Sequence, residues 1–164
     1  MISLTEDIYA DIHDDTFFQV SWDGNMRVIR IDWKEATSSM TDKDFKSELE
    51  LFAGLVEAKK ARGILVDVAH FRHNQGPGMQ EWRLKNISPR YSAAGARRFV
   101  FLLPKEAPVP PMMNQSSPSE DFLTRGFNSA EKVMAWLTEE VRYEAWLKQW
   151  SRSRVSVAAG DDMV

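Results

Sequence analysis

The sequence predicts an α/β fold of the mixed α+β kind: a mixed central sheet of four to five strands, about three helices packed against it, and a C-terminal helical extension. Three features predict it. Two alternating segments flank a tight turn, a helical apolar stripe follows, and a short continuous apolar run then enters a glycine-bearing loop.

In chain order, "TFFQVSW" (Thr16 to Trp22) and "MRVIRIDW" (Met26 to Trp33) alternate apolar and polar residues and are joined by "DGN". They read as a β-hairpin with one face on a core. Thr41 has the chemistry of an N-cap, with Asp42 and Asp44 in the first turn. Phe45, Leu49, Phe52 and Val56 then recur at four, three and four residues, the period of a helix. Lys59, Lys60 and Arg62 suit its C-terminal end, and Gly63 is the expected C-cap. "ILVDV" (Ile64 to Val68) has the β-branched character of a strand buried on both faces. A helix is expected over about Gly78 to Ile87, ended by Pro89. "RRFVFLLP" (Arg97 to Pro104) is a second central strand. "KEAPVPPMMNQSSPSED" is rich in proline and serine and reads as a long mobile loop without regular structure. "FLTRGF" fits a short edge strand, and "NSAEKVMAWL" a last helix capped by Asn128 or Ser129.

These assignments divide the chain into an N-terminal segment (1–15), an α/β domain (16–140), a continuation of the last helix (141–152) and a disordered tail (153–164). The 164 residues suffice for one core without staples. A formal charge of −3 gives no general attraction to nucleic acid or anionic membranes. With no cysteine, disulfides, thiolate catalysis and cysteine-ligated metals are impossible. No apolar run approaches the ~18 residues of a membrane span, and the acidic start is unlike a signal peptide. The expected location is the cytoplasm.

The element order, with its "LVDV" strand, the tryptophan-bearing loop and short helix, "RRFVFLLP" after a glycine-alanine turn, and "GFNSAEKVMAWL", resembles the SpoIIAA-like group of STAS/Sec14-type domains over roughly Thr16 to Glu140. That resemblance implies a binding or regulatory role. In the anti-sigma antagonists of the superfamily, a serine or threonine just after the buried strand is phosphorylated to switch partners. Here no serine or threonine lies between Gly63 and Ile87, so that switch does not carry over.

Other chemistry in "HFRHNQGPGMQEW" is equally constrained. The glycines lack the lysine and hydroxyl of a P-loop, and Pro77 between them suits a tight turn. An anion on the amides of the next helix, helped by Arg72 and His73, is the functional alternative. His70 and His73 are spaced H-x-x-H but fall in a loop without a third ligand, which argues against a metal. Asp67 is a carboxylate in an apolar strand. It either binds the amides of the following loop or acts in a crevice at the strand's carboxyl end, where open α/β sheets hold ligands. Gln75 and Trp82 complete this candidate ligand- or anion-binding set. No Gly-x-Ser-x-Gly elbow or triad spacing is present. Arg83, Arg90, Arg97 and Arg98 beside Trp82 and Tyr91 have the composition of a single-strand nucleic-acid grip, but arginines at helix ends explain them as well.

At about 100° per residue, Ala130, Val133, Met134, Leu137 and Val141 form one stripe of the last helix, and Trp136, Tyr143, Trp146, Leu147 and Trp150 a second. The second marks either a partner interface or a fold-back over the domain. Together these readings point to a non-enzymatic module that binds a protein partner or itself as a homodimer. A small apolar ligand, lidded by "APVPPMM" near Trp82, is the alternative, and an enzyme using Asp67 is a further one. No cofactor, metal, nucleic acid or membrane span is implied.

Overall fold

The computed structural model describes residues 9–114, 122–139 and 149–150. Six strands form one sheet in the order β1-β2-β3-β4-β5-β6: β1 (Ala10–Asp14), β2 (Phe18–Asp23), β3 (Val28–Trp33), β4 (Gly63–Asp67), β5 (Arg98–Leu102) and β6 (Leu123–Phe127). The first three pair antiparallel, and β3 through β6 pair parallel, so the sheet is mixed. Helices α1 (Asp42–Lys59), α2 (Met79–Asn86) and α3 (Ser88–Ala94) share one face of the sheet. Helical residues 130–139, here α4, cover part of the other.

Alternation along the strands builds both layers. Phe18 and Val20, Ile29 and Ile31, and Ile64 and Val66 point toward α1, where they meet Phe45, Leu49, Phe52 and Val56 in the main core. Val28, Leu65 and Val100 point the other way, onto Val133 and Leu137 of α4. Phe52 is fully buried, so Phe52→Ala would cost about 3–5 kcal/mol in lost burial and cavity. Thr41 caps α1 as expected: its hydroxyl accepts from the Asp44 amide at 3.1 Å, and the Asp44 carboxylate accepts from the Thr41 amide at 3.0 Å, a complete capping box.

Several expectations are corrected. The sheet has six strands, because β1 lies in what was read as an N-terminal segment; a register shift between Asp11 and His13 breaks the alternation that would reveal it. The C-cap of α1 is Lys60, left-handed at φ 52°, not Gly63. The Arg27 guanidinium supports that end, donating to the Lys60 carbonyl at 2.5 Å and the Lys59 carbonyl at 3.3 Å. Gly63 instead opens β4, where a Cβ would stand 3.2 Å from both Leu137 Cδ2 and Val28 Cγ2; glycine there lets α4 approach the sheet. The helix expected over about Gly78 to Ile87 forms as α2, but Pro89 lies in the first turn of a further helix, α3, where its missing N–H costs no hydrogen bond.

The proline-rich loop is also more ordered than its composition suggests. Pro111–Asn114 forms a 3-10 turn, and the Asn114 side chain accepts from the Gly126 amide at 3.1 Å. Val109 and Met113 close over Gly126, where a Cβ would come within 2.9 Å of Met113. The described part of the loop therefore covers β6 at Gly126. Residues 115–121, and the expectations for 141–148 and 151–164, lie outside the described residues.

Candidate functional site

The carboxyl ends of β3, β4, β5 and β6 bring the polar groups of the α4 face together. Asp32 on β3 is the direct register partner of Asp67 on β4, which is followed by Leu102 and then Phe127. Arg30, two residues before Asp32 and therefore on the same face, lies against both acids. Its guanidinium donates to both Asp32 oxygens at 3.0–3.2 Å and to Asp67 Oδ2 at 3.2 Å. The three side chains are 26%, 37% and 22% exposed. Burial raises the pKa of Asp32 above the usual carboxylate range, with Asp67 adding to the rise and Arg30 opposing it. Tyr9 lies over Arg30 with 5.7 Å from guanidinium carbon to ring centre, and burial pushes its hydroxyl up to about 12.

Beside Asp67 opens a crevice of about 430 Å³. Ala69, Leu102, Leu103 and Pro104 give it an apolar wall, and Ala130 adds to it from the start of α4. Lys105, Asn128, Ser129 and Glu131 stand at its polar rim. Local chemistry fixes that rim: the Ser129 hydroxyl accepts from the Lys132 amide as the N-cap, and Asn128 donates to the Ala107 carbonyl at 2.6 Å. Asp67 Oδ1 accepts from the Ala69 amide at 3.0 Å, the strand-end role expected of it. With Arg30 on Oδ2, each oxygen keeps acceptor capacity toward the crevice.

The other sequence candidates do not join Asp67. His70 is 60% exposed and lies 3.5 Å from Glu35. Arg72 braces its own loop, donating to the Ala69 carbonyl at 3.0 Å and the Phe71 carbonyl at 3.3 Å, while its amide donates to Thr37. His73 is 6% exposed, packed between Phe45 and Phe71 with Nε2 2.9 Å from Asp42 Oδ1. The same Asp42 carboxylate accepts from the Gly76 amide at 3.2 Å, and a Cβ on residue 76 would overlap it. Gly76 thus serves a close carboxylate contact, the reverse of an anion cradle. Gln75 is exposed. Trp82 packs on the α1 side beneath Lys46, 5.2 Å from its ring centre. Among the described residues no group of three or more acidic or histidine side chains could hold a metal ion.

Of the aromatic stripe, Trp136 is half-buried, with Arg98 4.6 Å from its ring centre and Phe127 at its edge. The fold uses it as an internal contact. Trp150 is 47% exposed; Tyr143, Trp146 and Leu147 lie outside the described residues. The basic cluster divides as well: Arg90 pairs with Glu57 on the α1 side, at 2.6 and 3.0 Å, while Arg98 is buried beside α4.

Sequence reasoning missed Arg30, Asp32, Lys105, Ser129 and Glu131. Arg30 and Asp32 did carry a signal, a charged i, i+2 pair on the polar face of an alternating strand, but that pattern equally describes a solvent-facing strand. Comparisons with protein-family models, curated proteins and solved structures each found no match for the chain.

Proposed function

We propose that this chain is a non-enzymatic binding module whose ligand site is the strand-end crevice beside Asp67. The observation that carries the reading is the pairing of an apolar wall, Leu102, Leu103 and Pro104, with one half-buried carboxylate held in place from two sides. Such a site suits a small, largely apolar molecule bearing one hydrogen-bond donor for Asp67. Arg30 bridges both strand-end acids by direct hydrogen bonds, an arrangement that suits positioning better than proton transfer. Kinship with SpoIIAA-like domains belongs to the same proposal and is supported by element order alone.

The test is protein-observed NMR of the full chain with a panel of small amphipathic amines and alcohols. Perturbations gathered on Ala69, Leu103, Ser129 and Glu131, weakened several-fold in Asp67→Asn, are expected. No perturbation there at millimolar concentration would sink the reading.

A second reading, association with a protein partner or a second copy through the C-terminal aromatics, is favoured by the exposure of Trp150. Replacing Trp146 and Trp150 by serine would then lower the assembly mass while leaving the fold intact. An unchanged mass would count against it.

A further inference from the structure

The crevice beside Asp67 leaves one charge uncompensated, and that charge specifies what the crevice holds. Asp32 and Asp67 are register partners on adjacent strands, and one guanidinium serves both. Arg30 Nη2 donates to Asp32 Oδ1 at 3.0 Å and to Asp67 Oδ2 at 3.2 Å, while Nε donates to the two Asp32 oxygens at 3.2 and 3.0 Å. Arg30 is thus engaged mainly by Asp32. Asp67 receives one bond from it and one from the Ala69 amide at 3.0 Å. Two acids and one base leave the cluster with a formal negative charge, and of these three side chains Asp67 alone lines the crevice.

The surrounding charges do not cancel it. At the rim Lys105 and Glu131 carry opposite signs, and both are exposed. The N-terminal end of α4 also faces the rim and by itself favours anions, but the Ser129 cap and the Glu131 carboxylate in the first turn offset it. His70 lies against Glu35 and does not line the crevice.

The space around Asp67 decides which kind of cation fits. A metal ion needs several ligands at once, and the position between the two acids is filled by Arg30 Nη2. Among the described residues no group of three or more acidic or histidine side chains could hold one. An ammonium needs only the Asp67 carboxylate. Ala69, Leu102, Leu103 and Pro104 then offer apolar surface to the carbon attached to it, in a volume of about 430 Å³ that admits a ring or a short chain.

On the footing that the crevice is the ligand site, we infer that its ligand is an organic monocation: a primary ammonium that donates to Asp67, carried on a small apolar body that packs on Leu102, Leu103 and Pro104. Asp32 sets this preference without lining the crevice, because it holds most of the Arg30 guanidinium and leaves Asp67 under-compensated. An ammonium on Asp67 brings the cluster to neutrality. An alcohol of the same shape keeps the apolar contacts and one hydrogen bond but leaves the charge in place.

Phenethylamine and phenethyl alcohol differ in that one group, so they test the inference. In protein-observed NMR titrations of the full chain at neutral pH and low salt, both should perturb the amides of Ala69, Leu103, Ser129 and Glu131, the amine with several-fold higher affinity. The amine's advantage should vanish in Asp67→Asn and shrink in Asp32→Asn, which frees Arg30 for Asp67. Equal affinities in the wild type overturn the inference and leave the crevice reading standing, whereas no perturbation by either probe overturns both. An advantage unchanged in Asp32→Asn overturns the inference as well. Should that variant fail to fold, ionic strength replaces it: added salt should reduce the amine's advantage by screening, and a ratio independent of salt is the overturning result.

Discussion

Acidic side chains on the two faces of the same sheet are neutralised differently. Asp32 and Asp67, half-exposed beside α4, are held together by the Arg30 guanidinium. On the α1 side Glu48 is buried with its Oε2 unpartnered, and burial pushes its carboxyl up to about 8. The difference follows from space and solvent. The α4 face leaves room for a long cation whose charge stays partly hydrated, whereas the α1 face is packed with Phe18, Trp33 and Phe45, and a proton is the smallest neutraliser available. An arginine contact is insensitive to pH across the neutral range, and a protonated carboxyl with a pKa of about 8 is not.

Removing each neutraliser separates the two cases. Arg30→Met should have the largest effect, about 2 kcal/mol of destabilisation at pH 7, because it leaves two adjacent carboxylates uncompensated; full burial would make it larger. The loss, read from urea midpoints, should shrink near pH 4 as Asp32, its pKa raised by burial, protonates, and an equal loss at both pH values would remove electrostatics as its cause. Glu48→Gln should act mainly in alkali. Above about pH 8 the variant should exceed the wild type by about 1–2 kcal/mol, with the gap closing toward pH 5. A gap that does not change with pH would mean the effect is packing. Asp67→Asn should cost least, under about 1 kcal/mol, since Arg30 keeps its two-pronged contact with Asp32 and the amide oxygen can still accept from Ala69. Its informative readout is ligand affinity at the crevice, not stability.

How much of this was legible depended on range. The α1 stripe, its Thr41 cap, the β2–β3 hairpin and the buried β4 and β5 strands are local patterns, and they formed where their periodicity put them. The β1 strand was hidden by its bulge, and Lys60 as a left-handed cap depends on Arg27, 33 residues away. Asp67 was recognisable as an acid out of place in an apolar run. Its partners were not, because they meet it only through the β3–β4 register. Glu48 was least visible, since a glutamate between Phe45 and Leu49 reads as the flank of an amphipathic stripe until the sheet buries it. His73 looked like half of a metal pair. Burial between two phenylalanines and contact with Asp42 make it a clasp for its own loop.

The loop packed along β6 also has a consequence for assembly. With the Gly126 amide taken by Asn114 and this part of the strand roofed by Val109 and Met113, the described C-terminal half of β6 offers less to a strand from another chain, so sheet extension along that stretch is disfavoured.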